Sequence, residues 1–198
     1  MAPSEIPQSV ELQKKLTELH VKEWLADDVF HIRWWILIGL MIGMFIAWLL
    51  LLDKAKMKET CLFLVLAIII ILGIDEYGVE LILWEYPIDL IPIFPPLTSL
   101  NLISVPLTYS IAFQRFPDRK TYTVAVVILT AMISFILEPI LVWRGFYKLV
   151  NWHPIYSFFV YLIVAFVIRF VAKKILEIEN KTRCFDRIKN GSTEDEHH

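Results

Sequence analysis

Four acidic side chains fall inside long apolar stretches of this chain: Asp75, Glu76, Glu80 and Glu138. A carboxylate at membrane depth is costly and by default marks a functional site. It must pair with a cation, take up a proton or hold an ion, so these residue types point to proton or cation chemistry. Glu76 and Glu80 are four apart and share a helical face with Gly73 and Trp84, while Asp75 points about 100° away. Thr130, Ser134 and Glu138 stand at i, i+4 and i+8, a polar stripe that a helix aims at a neighbour rather than at lipid. Pro139 lacks a backbone N–H, which frees the Phe135 carbonyl beside Glu138 for protein or water.

Composition says what carries these acids. The chain has 198 residues, 57% of them hydrophobic and 20% charged, with a mean hydropathy of +0.59. That is too apolar for a soluble globule. Five stretches reach or approach the roughly 20 residues that cross a hydrocarbon core of about 30 Å: residues 34–52, 60–83, 97–115, 121–143 and 152–172. The expected fold class is all-α, a polytopic membrane helix bundle of five transmembrane helices preceded by an N-terminal amphipathic surface helix. Residues 1–32 form the polar N-terminal part, 33–174 the five-span membrane domain and 175–198 a flexible cytoplasmic tail. Within the first part, Leu12, Leu16 and Leu19 make one stripe of a helix over about residues 10–28. Residues 1–30 lack the basic start and early apolar core of a signal peptide, so the first span is expected to anchor the mature protein.

Lysine and arginine set the expected orientation, because cytoplasmic segments retain positive charge. With five spans, thirteen of the nineteen basic residues gather on one side, from Lys54, Lys56 and Lys58 through Arg115, Arg119 and Lys120 to the C-terminal segment after Arg169. This places the N-terminus outside and the C-terminus in the cytoplasm, in a multi-pass protein of the plasma membrane. At about 1.5 Å of rise per residue, Asp75 and Glu76 lie roughly 23 Å along span two and Glu138 roughly 25 Å along span four. Both sets reach the outer leaflet at matching height.

Asn101 on span three, Arg33 and Arg144 at the outer helix ends, and Trp84, Trp143 and Trp152 belong to the same expected polar and aromatic layer. Span three, the most polar and carrying Pro106, is expected inside the bundle. Gly39, Gly43 and Ala47 form a small-residue seam on span one that admits a close helix. Residues 84–96, with four prolines and no basic residue, read as an irregular cap over the layer. Each feature has a plainer alternative. The tryptophans favour headgroup depth in any membrane protein, His153 is a helix-start residue more readily than a metal ligand, and Glu76, Glu80 or Glu138 could pair with Arg33 or Arg144 to lock helix ends.

The stretch DEYGVELILWEYP from Asp75, LIPIFP after it, EPILVW from Glu138, GFYKLVNW ending at Trp152 and RWW before span one carry a resemblance. The chain resembles an uncharacterised family of small five-span integral membrane proteins from endospore-forming (Bacillus-type) bacteria, over about residues 30–175. The shared pattern is matched by Asp75, Glu76, Trp84, Glu85, Tyr86, Pro87, Glu138 and Pro139. The resemblance implies location and topology and supplies no activity. A possible internal echo runs beside it: ELILWEY from Glu80 and EPILVWRGFY from Glu138 each place an acid before a tryptophan and then a tyrosine. Duplicated hairpins would put a site at their interface; chance likeness of short apolar segments is the alternative.

No catalytic residue, metal set or cofactor motif stands out. Cys61 and Cys184 have neither disulfide nor metal spacing, and a net charge of −2 with basic residues confined to flanks does not suit a nucleic-acid binder. The expected partners are the lipid bilayer and a cation, a proton or a small apolar ligand, with protein partners unknown. Three readings remain open. The layer could bind a cation or proton and couple it to movement of a small solute. The chain could be a non-catalytic partner or sensor in envelope remodelling or sporulation. It could be a membrane enzyme acting on a lipid or isoprenoid, with Glu76 or Glu138 as acid or base.

Overall fold

Apolar runs satisfy their backbone groups internally, which makes each long run a helix. The computed structural model describes residues 7–88, 90–91 and 100–194, without the side chains of 27, 28, 100–102 and 184–194. Helix α1 (Gln8–Glu23) widens into a π turn over Trp24–Asp28. Helix α2 (Ile32–Leu51) follows, then a short turn over Lys54–Lys56 capped by the Asp53 side chain, and α3 (Met57–Glu80). Strand β1 (Trp84–Glu85) precedes α4 (Leu100–Arg115). Helix α5 (Arg119–Met132) starts on an Asp118 cap and passes through a π turn (Ile133–Leu137) into α6 (Glu138–Trp143). Strand β2 (Lys148–Leu149) and α7 (Pro154–Glu194) complete the order.

Among the described residues four helical stretches are long and apolar enough to cross a membrane: Ile32–Leu51, Lys54–Glu80, Arg119–Trp143 and Pro154–Arg183. The described part of helix α4, with 16 residues, covers about 24 Å. It packs against α2, α3 and α5, and Val105, Pro106, Tyr109, Ser110 and Gln114 on it are buried. Phe63 and Phe113 stack at 4.7 Å in a core that also holds Ala67, Tyr122, Val126, Ala165 and Ile168.

Polar groups stitch that core together. The Tyr109 and Thr130 hydroxyls share a 2.6 Å hydrogen bond, the Trp48 indole donates to Ser110 at 2.8 Å, and the Tyr122 hydroxyl donates to the Ala165 carbonyl at 3.2 Å. Gln114 accepts from the Asp53 amide at 2.9 Å and donates to the Leu51 carbonyl at 3.0 Å, which closes the α2–α3 turn onto α4. Such bonds between buried side chains and backbone fix how the helices sit against one another.

Two expectations are corrected. The tail expected to be flexible from residue 175 is helix through Glu194, because its charges alternate at helical spacing. Glu177–Lys181 and Glu179–Arg183 pair at 2.9 Å each, and Lys58 on α3 also binds Glu179. The Gly39–Gly43 seam has nothing within 4 Å of where a Cβ would stand; α2 instead buries Leu37 and Trp48. The all-helical expectation holds, with one short addition among the described residues: a two-stranded antiparallel ladder, Trp84↔Leu149 and Glu85↔Lys148, which joins the loops after α3 and α6. On α1, Leu12, Leu16 and Leu19 are exposed and no residue is buried.

Candidate functional site

The buried stripe of α3 runs through Thr60, Phe63, Ala67, Ile71, Asp75 and Gly78. Asp75 is therefore carried inward by the residues that pack the core, and Glu76, one position on, is rotated out with Glu80; both are exposed. This reverses the expected assignment, in which Glu76 and Glu80 faced the site and Asp75 did not. On the other acid-bearing helix Thr130, Ser134 and Glu138 are all fully buried. The π turn that ends at Glu138, whose amide bonds the Ile133 carbonyl, sits directly before Pro139. An extra residue in the turn accommodates a position that cannot donate, and such bulges recur at functional sites.

Both helices end in the same way. The Leu83 amide bonds the Gly78 carbonyl and the Ile82 amide that of Val79; the Phe146 amide bonds the Leu141 carbonyl and the Gly145 amide that of Val142. These are paired Schellman caps, with Ile82 at φ 54° and Gly145 at φ 74° in the left-handed position. Asp75 stands seven residues before one cap and Glu138 seven before the other. The echo in the sequence thus has a different register from the one expected: it matches Asp75, not Glu80, with Glu138, and Trp84 with Tyr147.

The Asp75 and Glu138 charges both act on Tyr147 and Tyr161, which with Asp75, Trp84, Trp152 and Ser157 border a cavity of about 20 Å³. That is room for about one water molecule. The Tyr86 hydroxyl donates to Asp75 Oδ1 at 2.6 Å. Burial, and after it the Asp75 charge, hold the Tyr86 phenol far above its ordinary range, so it remains a donor. Tyr86 stacks on Tyr147 at 5.3 Å, and burial likewise pushes the Tyr147 phenol up, with the Glu138 and Asp75 charges adding to it.

Glu138 differs from Asp75. The Ser157 and Tyr161 hydroxyls are near enough to act on its carboxyl group, yet among the described residues neither carboxyl oxygen has a hydrogen bond of good length and angle. Ser157 Oγ accepts from the Trp152 indole at 2.9 Å, leaving its own proton free to turn toward Glu138. Trp152 also meets Trp84 edge-on at 5.0 Å, and the Trp84 Nε1, buried beside the cavity, has no hydrogen-bond partner among the described residues.

The remaining expected residues divide. Trp84 and Trp152 border the cavity, whereas Trp143 is 77% exposed with the Arg144 guanidinium 4.7 Å from its ring. Arg33 and Arg144 are exposed, and among the described residues no ion pair links either to Glu76, Glu80 or Glu138. The Asn101 side chain lies outside those described. Ser157 and Tyr161 were not singled out in the sequence, and Tyr86 and Tyr147 figured only in the resemblance or the echo, not as members of the layer. Ser157 and Tyr161 are four apart on α7, in line with the buried Ala165, and that spacing was the available signal.

Compared with protein families, characterised proteins and solved structures, the chain matches none.

Proposed function

We propose that this is a five-span protein of the plasma membrane in which Asp75 and Glu138 form a centre that takes up and releases a proton or a small monovalent cation, coupled to movement of a solute. In this reading α4 is the third span, α1 lies on the membrane surface, the acidic end faces outward and the C-terminal helix extends into the cytoplasm. The positive charge at the other end supports that orientation. The observation that carries the proposal is the fully buried Glu138 carboxyl, without a well-formed hydrogen bond among the described residues, whose charge and that of Asp75 act on the same two phenols, Tyr147 and Tyr161, beside a one-water cavity that Asp75 borders. An anion so placed is costly; a proton or a cation removes that cost, and reversible loading of such groups is how membrane carriers use them. The cavity is too small for a lipid headgroup or for an organic solute, which favours a proton-sized species at the centre over lipid chemistry.

The test is purified protein in liposomes loaded with a pH-sensitive dye, challenged with imposed proton and sodium gradients. Wild type is expected to dissipate a gradient, and Glu138→Gln to slow it by about tenfold or more, the scale of losing one positioned acid–base group. Equal fluxes in wild type and Glu138→Gln, or wild-type liposomes no leakier than empty ones, overturn the proposal and favour a non-catalytic membrane partner.

A further inference from the structure

At the end of the bundle opposite the acids, α5 and α7 leave a groove of about 480 Å³ between them. We propose that this groove is a binding site for one anionic phospholipid, with its phosphate among Arg119, Arg169 and Lys173 and an acyl chain along Phe166 and Phe170. The inference is independent of the Asp75/Glu138 reading.

The groove's cations are held in place rather than merely present. Arg169 is only 6% exposed; its guanidinium donates to the Phe116 carbonyl at 3.3 Å and the Pro117 carbonyl at 2.8 Å and lies 3.9 Å from the centroid of the Tyr122 ring. Lys173, one turn on, donates to the same Pro117 carbonyl at 3.1 Å. Arg119, at the first turn of α5, is close enough to repel both. Like charges gathered this way are unfavourable unless an anion joins them.

The chain's own acids near the groove reach its cations only at a distance, Asp118 toward Arg169 and Lys173 and Glu59 toward Lys173, and Asp118 and Glu177 are engaged by closer partners. Asp118 accepts from the Lys120 and Thr121 amides at 3.0 and 3.2 Å as the cap of α5. Glu177 pairs with Lys174 at 3.2 Å and Lys181 at 2.9 Å. Among the described residues no carboxylate forms an ion pair with Arg119, Arg169 or Lys173. Below the cations the groove turns apolar, with Phe166 and Phe170 exposed on α7. Lys173 lies about 28 Å along α7 from Pro154, which is one hydrocarbon thickness, so cations meet aromatic rings where a headgroup meets its chains. Basic pockets between membrane helices hold anionic headgroups for this reason.

The experiment is native mass spectrometry of the full chain, released from detergent micelles doped with phosphatidylglycerol or with phosphatidylcholine. Wild type is expected to retain one phosphatidylglycerol and no phosphatidylcholine. Arg119→Gln with Lys173→Gln is expected to lower retention by roughly tenfold or more, while Lys14→Gln with Lys15→Gln, an equal loss of charge on α1, leaves it unchanged. Should the groove variant fail to fold, Phe170→Ala, at an exposed position, is expected to weaken retention about threefold through lost acyl contact. Equal retention of both lipids, or retention unchanged in the folded groove variants, overturns the site. Displacement of the lipid by millimolar glycerol 3-phosphate assigns the groove to a free phosphate and overturns the lipid as its occupant.

Discussion

The end of α3 and the end of α6 solve the same problem with opposite residues. Each carries a buried acid seven residues before a Schellman cap and a buried aromatic two residues after it. On α3 the first capped carbonyl belongs to Gly78, over which the Trp84 indole folds; on α6 it belongs to Leu141, and the aromatic is the smaller Tyr147. The left-handed position is Ile82 in one and Gly145 in the other. Bulk and backbone freedom have changed places along one local design. The lesson is that backbone geometry, more than residue identity, brings Asp75 and Glu138 to one cluster around Tyr147 and Tyr161.

The sharpest way to break the comparison is to give α3 the residue of α6. A Cβ at Gly78 would overlap the Trp84 indole, so Gly78→Leu is expected to unseat Trp84 and lower stability by about 3 kcal/mol or more. The reverse truncation, Leu141→Ala, removes bulk at a position 7% exposed and is expected to cost about 2–3 kcal/mol. Thermal unfolding in detergent, followed by tryptophan fluorescence, measures both. A Gly78→Leu protein as stable as wild type would mean that Trp84 is not seated on that glycine.

The two acids themselves come next. Asp75 has the Tyr86 hydroxyl at 2.6 Å, and Tyr86→Phe is expected to destabilise by about 1.5–3 kcal/mol, the scale of a hydrogen bond to a charged group. Glu138 has no such bond, so Glu138→Leu is expected to leave stability unchanged or raise it by about 1–3 kcal/mol as a buried unsatisfied group is removed, even while flux is lost. Opposite signs in the two unfolding curves support the distinction. A loss of stability in Glu138→Leu matching that in Tyr86→Phe erases it.

Four membrane-length helices and the buried stripe through Glu138 were legible in the sequence because hydrophobic length and i, i+4 spacing are local signals. The inward member of the α3 acids was not. Choosing between Asp75 and Glu76 required knowing that Phe63, Ala67 and Ile71 face the core, and in a helix apolar on every side the moment that would show this is weak. The β1–β2 ladder was hidden for a related reason, since two residues per strand leave no period to read. Its consequence was a wrong register for the echo, which followed the acid and tryptophan spacing when the caps at Ile82 and Gly145 set the true one.

Those caps offer a smaller and cleaner test. Ile82 holds φ 54° and Gly145 φ 74°, and a left-handed conformation costs a residue with a Cβ roughly 1–2 kcal/mol. For a β-branched side chain it is a genuine outlier. Ile82→Gly is expected to stabilise by about 0.5–1 kcal/mol once the greater freedom of glycine in the unfolded chain is set against it. Gly145→Ala is expected to destabilise by about 1 kcal/mol. Equal and same-signed shifts of the unfolding midpoint would show that the two caps do not share one backbone geometry.

Smallest of all is the rung that joins the two loops. Lys148 pairs with Glu85 at 3.3 Å across β1 and β2, with 65% and 59% of the side chains exposed, and such a pair contributes about 0.2–1 kcal/mol at most. A double-mutant cycle of Glu85→Gln and Lys148→Gln is expected to give a coupling near the low end, vanishing at about 1 M salt, where charges beyond roughly 3 Å are screened. A coupling of several kcal/mol would mean that the ion pair, rather than the caps and the buried Trp84 and Tyr147 beneath it, aligns the two ends. The ladder's backbone bonds and the Leu83 carbonyl, which accepts from the Val150 and Asn151 amides at 3.0 Å, already fix that alignment without it.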